Sequence, residues 1–190
     1  MLQVYFATTN RNKLEEAKRV LGFIPGVKID WKSIDVPEIQ SLDGRKVVEE
    51  KAKAAFAKVK KPVIVEDTSL SIMSWNGFPG PLIAWAVKTM GIDKICRLSG
   101  PKRTAKAEAC VTYYDGKKLK TFCGSINGRI AIRPRGSRRF DWDRIFIPEG
   151  HGKTFAEMTL EEKNRISHRM KAFAGMRKYL EEISVQKSLF

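Results

Sequence analysis

The chain opens on a mixed apolar and polar run, LQVYFA at residues 2–7, which predicts a β-strand. The polar turn TTNRN follows, then KLEEAKRVL, where Leu14, Ala17 and Leu21 recur at helical spacing. Asn12 with Glu15 fits a capping box for that helix, and Gly22 fits its stop. Val27, Ile29 and Trp31 alternate and predict a second strand. A long helix is predicted from Asp43 to Lys60, with Val48, Ala52, Ala55 and Val59 as its buried stripe. Val63, Ile64 and Val65 read as a strand buried on both faces, and it runs straight into Glu66 and Asp67. SLSIMSW alternates through Leu70 and Ile72 and predicts a further strand. The turn NGFPGP leads to a short helix, LIAWAVKTM, closed by Gly91.

KAEACVTYYDGKKLKTFCGSI reads as two strands joined at Asp115-Gly116, and NGRIAI and FDWDRIFI as two more. Thr159 and Glu162 form the capping box that opens a terminal helical region. Helices interleave with strands in the first half, and strands cluster in the second. That order predicts an α/β or mixed domain with a sizeable sheet.

Composition narrows the class. A chain of 190 residues fits one domain, or two closely packed lobes, and is long enough to bury a core. Its hydrophobic fraction of 43% and charged fraction of 30% are those of a globular protein. No apolar run approaches a membrane span, and the N-terminus lacks a basic region or cleavage site, so a cytoplasmic protein is expected. Cys96, Cys110 and Cys123 sit in apolar patterns and are expected as reduced thiols. The net charge of +15 admits a nucleic-acid binder or solvated helix faces beside a site for a small anion. Lysines at helical spacing with acids between them, as in EEKAKAAFAKVKK, favour the second reading.

Several residues then stand out for their chemistry. TTNRNK joins a strand to a helix start, where backbone N–H groups favour an anion; an ordinary helix cap is the alternative. Lys51 lies about 60° from the middle of its helix stripe, so it either snorkels or points its ammonium into a cleft. Glu66 and Asp67 face opposite sides of their strand, so one can meet a cleft while the other pairs with a base behind the sheet. Within one continuous helix Lys163 and His168 would stand about 140° apart; if Ser167 caps a new helix, both can turn toward one site.

Six blocks carry a resemblance: FATTNRNKLEEA, VPEIQ, PVIVEDTSL, NGFPGP, PRGSRRFDWDRIFIPEG and KTFAEMTLEEKNRISHR. In this order, and over nearly the whole chain, they resemble the inosine triphosphate pyrophosphatase family, hydrolases of deaminated purine nucleoside triphosphates. The resemblance implies an elongated α/β fold with a mixed central sheet, two lobes in one domain over residues 1–190, and an active-site cleft between the lobes. It implies a homodimer and Mg²⁺-dependent hydrolysis of ITP, dITP or XTP to the monophosphate and pyrophosphate. Carried over, Thr8, Thr9, Asn10, Arg11, Asn12 and Lys13 would hold the triphosphate with Lys51 and Thr68. Glu38 and Asp67 would bind Mg²⁺, and Asp67 would activate water. Phe140, Trp142, Asp143, Lys163, His168 and Arg169 would surround the nucleoside. Donors such as Arg169 would satisfy a 6-keto group and be left unpaired by adenine, a mismatch worth roughly 10⁴-fold.

The chain also departs from that pattern. Thr9 stands where the family carries glycine, and Thr68-Ser69 replaces Ser-Gly. Ala84 takes a position that is basic in some relatives. In RRFDWDRIF, Asp141 replaces a glycine and Arg144 a proline, and Arg138 or Arg139 is expected to restore positive charge at the cleft; a broader-specificity nucleotide pyrophosphatase is the alternative these departures leave open.

Overall fold

The computed structural model describes residues 1–137 and 142–188. Strands β1 (Leu2–Ala7), β2 (Val27–Lys32), β3 (Val63–Ile72), β4 (Pro79–Gly80), β5 (Thr104–Tyr114), β6 (Leu119–Ile130) and β7 (Phe146–Pro148) form one sheet. Its order is β2-β1-β3-β5-β6-β7, with β4 on the edge of β3. β2, β1 and β3 run parallel, joined by α1 (Arg11–Leu21) and α2 (Gly44–Val59), and the rest of the sheet is antiparallel. Helices α3 (Ile83–Met90), α4 (Ile92–Leu98), α5 (Leu160–Ile166) and α6 (His168–Ser188) complete the chain.

The apolar periodicities explain the layers. Leu14, Ala17 and Leu21 of α1 pack with Ala172, Phe173 and Met176 of α6 against Val4, Phe6 and Ile64 on one face of the sheet. Val48, Ala52 and Ala55 of α2 cover Val63 and Val65 on the other. A third cluster gathers α3 and α4 over Leu70, Ile72, Ile130 and Phe146. Gly124 allows α6 to start this close to the sheet. A Cβ there would lie 2.3 Å from the carbonyl oxygen of His168.

The topology makes a gap. β1 pairs with β3 only at Val63 and Ile64, and β4 pairs with it only at Leu70 and Ser71. Between these contacts the edge of β3 from Glu66 to Ser69 has neither neighbour, and the site forms there.

Five expectations need correction. SLSIMSW is no separate strand: β3 continues unbroken to Ile72 because β5 pairs with it along its whole length, and Met73–Trp75 form a 3₁₀ turn. NGRIAI likewise extends β6 to Ile130, and the described part of FDWDRIFI, from Trp142 on, forms a 3₁₀ turn at Trp142–Arg144 before β7. α1 is capped by Asn10, not Asn12, since the Asn10 side chain accepts from the backbone N–H groups of Asn12 and Lys13. Helix α4 was unforeseen: IDKICRL is too short for its periodicity to stand out after Gly91.

The fifth concerns Cys110 and Cys123, which are joined by a disulfide. A two-residue turn at Asp115-Gly116 would set Cys110 opposite Thr121. Instead the Asp115 side chain accepts from Lys117 N–H and Lys118 N–H, which makes a four-residue turn. The register moves by two, and Cys110 meets Cys123 with a Cα separation of 4.1 Å.

Candidate active site

A cleft of about 660 Å³ opens over the unpaired stretch of β3. Thr8, Thr9, Asn10 and Lys13 line one side of it, from the β1–α1 turn and the first turn of α1. Glu38, Lys51, Asp67 and Thr68 line the middle, and Ala84, Trp85, Trp142, Asp143 and Arg169 the rest. Of the residues singled out in the sequence, Arg11, Asn12, Glu66, Lys163 and His168 do not reach its surface. Phe140, Arg138, Arg139 and Asp141 lie outside the described residues.

The β1–α1 turn is braced locally. Thr8 Oγ1 accepts from Asn10 N–H at 3.1 Å, and Trp31 Nε1 donates to the Thr8 carbonyl at 2.9 Å. Thr9 has no positive φ, so its backbone does not require a glycine at this position.

Strand parity separates the two adjacent acids. Asp67 shares the α2 face with Val63 and Val65 and lines the cleft. Burial pushes its carboxyl up to about 6, against the opposing pull of Lys13 and Lys51. Glu66 faces α1 and α6 and is fully buried. Burial resists its ionisation, but the Arg169 and Lys13 charges win and hold it at about 2. Arg169 Nε donates to Glu66 Oε1 at 2.8 Å, and Lys13 Nζ lies 3.2 Å from Glu66 Oε2.

Lys51 enters the cleft from α2. Its ammonium donates to Glu38 and to the Glu66 carbonyl oxygen, the latter at 3.3 Å. Burial would lower its pKa, yet the Asp67 and Glu38 charges raise it above the usual lysine value, so it stays cationic.

Behind the cleft wall the charges continue in alternation. Arg169 also donates to Glu16, which accepts from Lys163 Nζ at 3.2 Å. Lys163 Nζ donates in turn to Asp143 Oδ2 at 2.6 Å. Asp143, Lys163, Glu16, Arg169, Glu66 and Lys13 thus form one connected chain of ion pairs. Burial opposes ionisation of Glu16, but Arg169 and Lys163 keep its pKa below the ordinary value. Glu16 was not singled out in the sequence. It stands about 130° from the stripe of Leu14, Ala17 and Leu21, on the side of α1 that reads as solvent. Only the arrival of α5 and α6 buries it.

The break between these helices falls at Ser167. Thr159 and Glu162 cap α5 reciprocally, and Ser167 Oγ accepts from Met170 N–H at the start of α6. Lys163 and His168 thereby come to the same buried region. The His168 ring lies between Trp142 and Phe155, with centroids 5.5 and 5.7 Å away. Burial first, then the Arg169 and Lys163 charges, lowers its pKa far below the usual histidine range, so it is neutral. Neither ring nitrogen has a hydrogen-bond partner among the described residues.

Fold and cleft together define a mixed α/β protein with a site suited to a polyanion beside an ionisable carboxylate. Residues 4–179 match the Ham1 family. The chain is 40% identical over 184 residues to a protein of Thermococcus kodakarensis named dITP/XTP pyrophosphatase, covering 95% of this chain and 98% of that one. It is 41% identical over 182 residues to one of Schizosaccharomyces pombe named inosine triphosphate pyrophosphatase, covering 94% and 95%. The solved structure of a HAM1 protein from Coxiella burnetii superposes with a TM-score of 0.83 at 26% identity, over 96% of this chain and all of that one. The chain belongs to the Ham1 family.

Proposed function

We propose that this chain hydrolyses deaminated purine nucleoside triphosphates, ITP, dITP and XTP, to the nucleoside monophosphate and pyrophosphate. The observation that carries the reading is Asp67, a carboxylate poised near neutral pH at the edge of a large cleft between the cations Lys13 and Lys51. Family membership and the names of the similar proteins support it.

The residues divide the work. Thr8, Thr9, Asn10 and Lys13 receive the phosphates from one side, with Arg11 and Asn12 shaping the turn, and Lys51 and Thr68 meet them from the other. Asp67 takes the proton from the water that attacks the α-phosphorus. Lys13 and Lys51 offset the negative charge that grows on the phosphate oxygens and the leaving pyrophosphate. Trp142 stacks near the base, and His168, Lys163, Asp143 and Arg169 form the wall behind it, with Phe140 assigned there from the sequence.

Mg²⁺ belongs to this proposal. Among the described residues no cluster of three or more His, Cys, Asp or Glu forms a closed metal site. Of the oxygen-donor side chains that line the cleft, Glu38 and Asp67 both act on Lys51 and match what Mg²⁺ needs, because it keeps water and substrate phosphates as its other ligands. Bound there, the ion would polarise the phosphate and lower the pKa of water. Lys51 is the present partner of Glu38 and would turn to the phosphates.

We also read the chain as one domain of two lobes, because the cleft lies between the α1, α2 and α6 clusters and the α3–α4 cluster. A homodimer is proposed with it. Exposed Met73, Phe78 and Leu98 gather around Trp75, whose Nε1 donates to the Leu98 carbonyl. No helix among the described residues is long and apolar enough to cross a membrane, in keeping with a cytoplasmic enzyme.

The test is incubation with ITP, XTP, dITP, GTP and ATP with Mg²⁺, followed by product identification. Monophosphate and pyrophosphate from the first three are expected. Release of orthophosphate and diphosphate would overturn the mechanism, and tight salt-sensitive RNA binding without turnover would favour a nucleic-acid binder.

A further inference from the structure

We propose that Cys110 and Cys123 form a thiol–disulfide exchange site, reached by a dithiol reductant through Cys123, whose state changes the packing beside Asp67. The effect on turnover rests on the function proposed above; the exchange itself does not.

Three residues lie in one row across the sheet. Asp67 of β3 is directly opposite Cys110 of β5, and Cys110 is directly opposite Cys123 of β6. Opposed residues of antiparallel strands project from the same face, so the disulfide lies on the face that carries Asp67. That face is covered by α2, the helix that also supplies Lys51.

The two sulfurs differ in access. Cys110 is 4% exposed and packs with Val48, Ala52, Ala55 and Val65, whereas Cys123 is exposed. An incoming thiolate therefore attacks Sγ of Cys123. The S–S bond breaks, Cys110 leaves as a thiolate and takes a proton from solvent, and the reductant is held on Cys123 as a mixed disulfide. The second thiol of the reductant then displaces Cys123. Both cysteines end as thiols, and the dithiol ends as its own disulfide.

The fold does not need this bond to keep its shape, because β5 and β6 stay paired from Thr104–Arg129 to Tyr114–Leu119. Breaking it nevertheless changes volume. Bonded sulfurs sit about 2.05 Å apart, while unbonded atoms of this size need roughly 3.5 Å or more. Cys110 is buried under α2, and a gap too small for water, lined by Gly44, Asp67 and Thr68, lies on its Asp67 side, so the added separation is shared between exposed Cys123 and that side. A carboxylate that must accept a proton in a fixed geometry is sensitive to such a shift.

The experiment treats the full-length protein with oxidised or reduced dithiothreitol, removes the reagent, and measures thiols after denaturation and dITP turnover before it. One thiol per chain, Cys96, is expected after oxidation, and all three cysteines after reduction. Reduction is expected to lower kcat about threefold or more, reversibly, with little change in KM. Cys123→Ser should hold the lower kcat under both treatments. Three thiols after oxidation would remove the exchange site, and equal kcat in the two states would remove the link to Asp67. Absence of turnover in both states with the expected thiol counts would overturn the proposed function while leaving the exchange standing.

Discussion

Glu66 on β3 accepts a hydrogen bond from Arg169 on α6 at 2.8 Å, and both side chains are buried. The pair ties the strand that runs beneath the cleft to the helix behind its wall. Its electrostatics predict an acid-sensitive stability. The folded pKa of Glu66, about 2, lies below its ordinary value of 4.5. The stabilisation is therefore complete above about pH 4.5 and is lost as pH falls toward 2, a term of roughly 3 kcal/mol. Glu66→Gln should cost roughly 3–5 kcal/mol at pH 7, because Arg169 and Lys13 lose a buried counter-charge. Urea unfolding of both proteins between pH 7 and pH 3 checks this. The gap between them should narrow below pH 4.5; a constant gap would discard the ion-pair account.

Asp67 pairs the opposite sign of stability with catalysis. Its raised pKa means that the folded state favours the neutral carboxyl, so its contribution is present below about pH 4 and is lost as pH rises through about 6. Asp67→Asn should therefore raise the melting temperature at pH 8 while abolishing turnover. A variant with near-normal kcat would take Asp67 out of the base role, and one that melts lower would contradict the burial argument.

Gly124 is the close-approach point between β6 and α6. Gly124→Ala places a methyl group 2.3 Å from the His168 carbonyl oxygen, a backbone atom that cannot swing aside. The expected cost is about 2–3 kcal/mol. Because His168 and Arg169 begin α6, KM for dITP should rise as well. Thermal melts and initial rates decide it; unchanged KM would mean that the helix start tolerates the shift.

Glu38 is expected to act through the metal. Glu38→Gln should raise the Mg²⁺ concentration needed for half-maximal turnover by about tenfold or more. Chelation of the wild-type protein should stop turnover without changing its circular dichroism. An unchanged Mg²⁺ titration in the variant would free Glu38 of that role.

Much of this is legible in the sequence. The period of two in β3 implies that Glu66 and Asp67 face opposite ways, and the structure puts one behind the sheet and the other at the cleft. The cap chemistry of Thr159 and Ser167 likewise marks the break between α5 and α6. What the chain hides is what depends on distant partners. Glu16 reads as solvent-facing until two helices from the far end of the sequence cover it. The pairing of Cys110 with Cys123 depends on how many residues Asp115 draws into its turn. The length of β3 depends on β5, more than thirty residues further on.

The six alternating charges from Asp143 to Lys13 comprise three acids and three bases, and so sum to zero. The surplus of +15 consequently resides outside this chain. Two properties of the protein then answer differently to ionic strength. The interior pairs, shielded from solvent, should hold their contribution in salt, whereas capture of a triply or quadruply charged substrate should slow. Salt becomes a tool that separates how this molecule stays folded from how it finds its substrate.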